Sequence, residues 1–148
     1  MFKKLNILTV ILAISLIMGS VFTPQQALAL GPQRVLFNLT SDELLVTAMP
    51  LRTATMILDQ GGQVVILLNI KAVRLASTTI PQNIHAGIGA PLQSKLTEII
   101  AKGGQVLVCP NCMANQGVTQ AELIPGAQVL TPAWLNILTD PNTNVISY

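Results

Sequence analysis

Apolar residues recur along this chain with two alternating periods. Val35 to Leu39 (VLFNL) is a short extended run that ends in the turn-prone Thr40-Ser41-Asp42, and it reads as a first strand. Leu44, Ala48, Leu51, Thr55 and Leu58 then recur close to the period of about 3.6 residues that marks a helix. Pro50 interrupts this pattern, and proline is tolerated in a first turn or at a kink. The spacing therefore predicts a short leading turn and a main helix from about Pro50 to Gln60, stopped by Gly61-Gly62. Val64 to Leu68 (VVILL) is apolar without alternation, as a parallel strand covered on both faces would be.

The alternation continues to the C-terminus. Lys71 to Ser77 reads as a helical turn, followed by a loop marked by glycine and proline from about Thr78 to Ala90. Leu92, Leu96, Ile99 and Ile100 form one face of a helix that ends at Gly103-Gly104. A third buried strand, Val106 to Val108, runs straight into Cys109. Beyond it come a short helix, a turn at Pro125-Gly126, a strand at Ala127 to Leu130, a helix from Pro132 to about Leu138, and a last strand near Asn144 to Ser147. Such regular alternation predicts an α/β fold, a three-layer flavodoxin-like sandwich with a mostly parallel five-stranded sheet. Ligands of such sheets bind at the carboxyl edge. The order of elements brings Asn38 to Asp42, the segment from Asn69 to the loop holding His85, and Cys109 to Cys112 to that edge. The long loop itself has the length of a lid or an interface segment.

The first 29 residues follow neither period. Lys3-Lys4, an apolar run from Leu5 to about Phe22, and Ala27-Leu28-Ala29 are in the order of a secretory signal peptide with its cleavage site. The competing reading is an uncleaved membrane anchor, since the run approaches the ~17–25 residues that span a bilayer. Gly19-Ser20 and the small-x-small site favour cleavage, and no cysteine lies near that site as a lipoprotein would require. The expectation is an exported, periplasmic or otherwise extracytoplasmic protein without a stable membrane span, with a single domain over residues 30–148.

Removing the leader changes the charge. The whole chain carries a formal +2, but residues 30–148 hold six basic and six acidic side chains. With no basic stripe and few aromatics to stack on bases, nucleic-acid binding is excluded as a leading function. So few charges also leave little repulsion between copies, which favours a homo-oligomer.

Candidate chemistry concentrates in Cys109-Pro110-Asn111-Cys112. A strand that ends at Cys109 and a helix that starts at Pro110 make Cys109 the N-cap. A thiolate there would accept the amide of Asn111 or Cys112 and meet the positive end of the helix dipole, which together would lower its pKa. Four roles fit the residues: half of a zinc site, a structural disulfide or inert buried thiols, a thioredoxin-like dithiol, and a sulfur-handling nucleophile. Zinc lacks ligands, because no further Cys exists and His85 is the single histidine. A thioredoxin-like dithiol follows an early strand, whereas this one follows the third. Export leaves the pair in a compartment where a disulfide can persist. Around the pair, Arg74 is a candidate holder of an anion or persulfide and otherwise a surface or subunit-contact arginine. His85 is a candidate proton donor or acceptor and otherwise an incidental loop residue. Asn38, Asn69 and Asn111 read as capping and turn residues, with Asn111 also a candidate binding residue. Trp134 and Tyr148 read as covers of the core or of an interface. No glycine follows the first strand in Asn38 to Asp42, which argues against FMN or a nucleotide, so no cofactor is expected.

The segments LLNIKAVRLA (Leu67 to Ala76), GGQVLVCPNC (Gly103 to Cys112), Gly117 and TQAELIPG (Thr119 to Gly126) carry a resemblance. From Val35 to Val129 the chain resembles the DsrE/DsrF family, including its TusD-type sulfur-relay subunits. In the relay members a single strand-end cysteine accepts sulfur as a persulfide, and Cys109 matches it by position and by its distance to Gly117. The resemblance thus implies a sulfur carrier or transferase that needs no cofactor or metal. Its partners would be sulfur donors and acceptors, and the chain would assemble into a ring of three or six copies. Cys112 has no counterpart in the relay subunits, though it is common in other DsrE-like sequences. An exported chain also cannot thiolate cytosolic tRNA, so what carries over is the persulfide chemistry of Cys109, with Cys112 as a resolving or second thiol.

Overall fold

A computed structural model describes residues 33–148; the expected leader, residues 1–29, lies outside the described residues. Seven strands and four α-helices alternate: β1 (Arg34–Leu39), α1 (Leu44–Asp59), β2 (Gln63–Leu68), β3 (Ile84–His85), β4 (Ala90–Pro91), α2 (Leu92–Ala101), β5 (Gln105–Val108), α3 (Pro110–Gln116), β6 (Ala127–Val129), α4 (Asn136–Thr139) and β7 (Thr143–Ser147). Strands β6-β5-β2-β1-β7 form a five-stranded sheet whose neighbours are all parallel. The α/β sandwich expected from the pattern is present.

Its strand order differs in detail from the flavodoxin one, in which the first strand lies between the second and third. Here β1 lies between β2 and β7. The crossovers β1 to β2, β2 to β5 and β5 to β6 step in one direction, and right-handedness then puts every connecting helix on the same face. Ala48, Leu51 and Ala54 of α1, Leu92, Leu96 and Ile99 of α2, and Met113 of α3 accordingly share one core with Phe37, Leu39, Val64, Ile66, Leu68, Val106 and Val108. Each large side chain fully buried there contributes about 1.5–3 kcal/mol. The chain reverses after β6 and returns over the other face to β7. That face buries Leu36, Val65, Leu67 and Leu107 against Ile137, with Leu130 and the half-buried Trp134 packed beside them. The helical layers are therefore unequal, with three helices on one face and the short Pro132–Thr139 segment on the other.

Helix α1 corrects a second expectation. It runs unbroken for 16 residues through Pro50. A mid-helix proline costs about 3 kcal/mol in isolation, because the bond to the carbonyl four residues back is lost. In α1 that residue is the exposed Val46, while the Pro50 side is buried against the sheet, so packing offsets the lost bond. Both α1 and α2 end in the double-glycine stop read from the sequence. Gly61 and Gly62 donate to Leu58 and Ile57 carbonyls, and Gly103 and Gly104 repeat the pattern on Ile100 and Ile99. These stops release the chain into β2 and β5, the two strands that carry the site. The long loop also contains structure of its own, the two-residue hairpin β3–β4.

Candidate functional site

Strand β5 aligns with β2 through Val108 opposite Leu68, and the Cys109 amide continues the ladder onto the Leu68 carbonyl at 3.0 Å. Pro110 then begins α3, and Cys109 is its N-cap with an extended backbone. The Cys112 amide donates to Cys109 Sγ at 3.4 Å, one of the two partners the sequence allowed. Met113, buried at the next position, fixes α3 to the core, and Gly117 closes the helix. Both cysteines are free thiols and partly exposed. The sulfur of Cys109 thus lies at the carboxyl edge with an amide already on it.

The second thiol has its own environment. Burial pushes the Cys112 thiol above its usual value of about 9, and interaction with Cys109 pushes the same way, while the Ile70 backbone amide opposes both. Ile70 follows β2 and has a φ of 49°, a left-handed conformation rare for a β-branched residue. The sequence carried no signal for this backbone, because nothing in the residue type of Ile70 points to a left-handed conformation.

A strap follows α3. After α3, Thr119 and Glu122 form a reciprocal capping box, with the Thr119 amide on Glu122 Oε2 at 2.8 Å. These bonds hold the Glu122 carboxyl below its usual range. The Glu122 carbonyl accepts from the amide and hydroxyl of Thr78, and Ile124 donates to Ala76. The TQAELIPG segment is thereby tied to the 3₁₀ turn Ala72–Ala76, which in turn contacts α3.

The other candidates fall elsewhere. Arg74 Nε pairs with Asp42 Oδ2 at 3.0 Å, so the charge expected to meet an anion is spent on a carboxylate. His85 is in the β3–β4 hairpin, packed beside Gly87, and its Nδ1 is buried with no hydrogen-bond partner among the described residues. Neither side chain bonds to a cysteine. Asn111 is exposed at the second position of α3, beside the pair. Asn69 Nδ2 donates to Asn38 Oδ1 at 2.6 Å and Asn38 Nδ2 to Ser147 Oγ at 3.2 Å, which ties together the ends of β2, β1 and β7. Tyr148 stacks at a tilt on Phe37, with ring centroids 6.3 Å apart.

Among the described residues, no three His, Cys, Asp or Glu side chains gather as metal ligands would. No helix there is long and apolar enough to cross a membrane. A cavity of about 340 Å³ opens at the amino edge, lined in part by Arg34, Gln63, Lys102 and Gln105. Its two cations are already paired, Arg34 with Asp140 and Lys102 with Asp59. It also lies at the opposite end of the strands from the thiols.

Solved structures share this architecture. The ychN protein from E. coli superposes with a TM-score of 0.60 at 21% identity, over 80% of this chain and 100% of its own. Protein MTH1491 from Methanobacterium thermoautotrophicum, of unknown function, gives 0.59 at 14% identity, over 78% and 99%. The conserved protein BT1422 from Bacteroides thetaiotaomicron, also of unknown function, gives 0.58 at 19% identity, over 78% and 95%. At these identities the likeness is one of fold. No protein of curated function matches the sequence. The DsrE/DsrF-like family model matches residues 37–147, from within β1 to the end of β7 and across the whole cysteine site. This chain is a member of the DsrE/DsrF-like family.

Proposed function

We propose that the protein is an exported sulfur carrier or sulfurtransferase in which Cys109 accepts a sulfane sulfur as a persulfide. The observation that carries this reading is the geometry at Cys109, a partly exposed thiol at the carboxyl edge whose sulfur already accepts the Cys112 amide. In its thiolate form Cys109 attacks the outer sulfur of a donor persulfide, the donor thiolate leaves, and the amide stays on the reacting sulfur. Family membership supports the same chemistry, and no cofactor enters it.

The test is intact-mass spectrometry of the reduced protein after exposure to a small-molecule persulfide. In a Cys112→Ser protein Cys109 should gain and keep the mass of one sulfur atom, and a Cys109→Ser variant should gain none. A protein that stays a closed, unreactive Cys109–Cys112 disulfide under reducing turnover would instead support a non-catalytic binding or assembly module.

Export and assembly belong to the same proposal. Cleavage after Ala29 predicts a secreted chain that begins at Leu30, which N-terminal sequencing reads directly. Leu45, Met49 and Met56 are exposed along one side of α1, an apolar stripe at helical spacing that fits contact between copies. Sedimentation should show the wild type as a trimer or hexamer and a Met49→Glu, Met56→Glu variant as smaller species.

A further inference from the structure

We infer that Cys112 is the acceptor of its own chain's persulfide: it resolves Cys109 persulfide by attacking the Cys109 sulfur, releasing hydrosulfide and closing a Cys109–Cys112 disulfide. This inference rests on the persulfide reading above and names what becomes of the sulfur. On its product side the protein reduces sulfane sulfur and does not merely relay it.

The geometry makes this step short. Cys109 is the N-cap and Cys112 the third residue of α3, one turn further on. A disulfide between them needs Cβ atoms about 3.5–4.5 Å apart, a closure confined to the first turn of α3. The extended backbone of Cys109 turns its side chain over the helix start, where Sγ already touches the Cys112 amide at 3.4 Å. Cys112 is itself partly exposed and free. The raised Cys112 thiol agrees with this division of labour, since it keeps its proton while Cys109 loads. Arg74, a candidate to hold an anion or persulfide, is engaged with Asp42 instead.

The steps balance. Cys109 thiolate attacks the outer sulfur of R–S–SH, the S–S bond of the donor breaks, and RS⁻ leaves. Cys112 sulfur then attacks Cys109 Sγ, the persulfide S–S bond breaks, and HS⁻ leaves with the proton given up by Cys112. The sulfane sulfur gains two electrons and the two thiols lose them. An external dithiol of the thioredoxin class must reduce the disulfide before the next cycle, and dithiothreitol serves that purpose in the test tube.

The experiment uses reduced full-length mature protein, glutathione persulfide as the probe, and three readouts: sulfide evolved, free thiols, and intact mass. Wild type should release one sulfide per chain, lose both thiols and end as the intrachain disulfide, and dithiothreitol should restore a second round. Cys112→Ser should keep the added sulfur on Cys109 and release no sulfide, and Cys112→Ala should behave the same way, with circular dichroism confirming its fold. Sulfide release from Cys112→Ser at the wild-type rate overturns the inference, as does a wild type that holds a stable persulfide. A Cys112→Ser protein that takes up no sulfur defeats the persulfide reading itself, and this inference with it.

Discussion

Gly103 and Gly104 are adjacent in one turn, yet they are required for different reasons, and two alanine substitutions separate them. Gly103 has a φ of +87°, and a methyl group added there would meet nothing within 4 Å. A non-glycine residue in the left-handed region costs about 1–2 kcal/mol. Replacing glycine also stiffens the unfolded chain, which returns about 0.4–1 kcal/mol. Gly103→Ala should therefore destabilise by roughly 0.5–1 kcal/mol. Gly104 has no such φ, but a Cβ there would fall 2.6 Å from Ile99 Cγ2, 3.0 Å from the Ile99 carbonyl oxygen and 3.1 Å from Leu58 Cδ1. Overpacking of this kind costs about 1–3 kcal/mol, and the carbonyl cannot rotate away. After the same return, Gly104→Ala should cost roughly 0.5–2 kcal/mol. Urea unfolding with an unchanged m-value measures both. For a domain of this size each kcal/mol corresponds to about 3–5 °C in Tm, so the two variants separate in a thermal melt as well. A Gly103→Ala variant that is less stable than Gly104→Ala would refute the reasoning. It would mean that backbone conformation, and not the close approach of α2 to its own stop, governs entry into β5.

Three further outcomes follow from the site. Alkylation of Cys112, followed by peptide mass mapping, should titrate above the ordinary thiol value of about 9, and in Cys109→Ser it should move partway down, because burial remains. A raised thiol stabilises the fold below the unfolded value and loses that contribution as pH climbs through the folded one, so wild-type stability should fall on the alkaline side. Glu122 has the opposite sign: its lowered carboxyl stabilises the strap above the usual value of about 4.5 and loses that as pH falls through the folded value. The stability gap between wild type and Glu122→Gln, read by urea midpoints, should therefore close in acid. Arg74→Gln removes a partly exposed ion pair worth about 0.2–1 kcal/mol and should leave sulfur loading of Cys109 at the wild-type level by intact mass.

The pattern of apolar residues made most of the elements legible, because each buried strand is a short run bounded by turn residues and each helix shows one apolar face. Pro50 misled for a physical reason. Sequence shows the cost of a proline in a helix but not that its ring is buried while Val46 faces solvent. The winding was not legible either. Crossover direction depends on which helices share a core, and only the joint burial of Ala54, Leu96 and Met113 reveals that α1, α2 and α3 lie on one face. At the edge, a strand running into Cys-Pro was enough to predict the N-cap. The roles of Arg74 and Asn38 turned on partners distant in sequence, Asp42 for one, Asn69 and Ser147 for the other.

The two thiols are unequal, and in the proposed cycle that inequality sets the order of events. Cys109 continues the β5 ladder and has the Cys112 amide on its sulfur. Cys112 belongs to the helix and is raised by its surroundings, burial first. Loading Cys112 first would require the thiol whose surroundings hold its proton to attack a donor, while Cys109 already has an amide on its sulfur. Loading Cys109 first leaves Cys112 with its proton until a persulfide S–S bond lies one helical turn away, where attack and proton release coincide with the departure of HS⁻. The proline between them contributes to this order. It starts the helix at the residue after Cys109 without leaving an amide unpaired, so the first sulfur is placed by the sheet and the second by the helix.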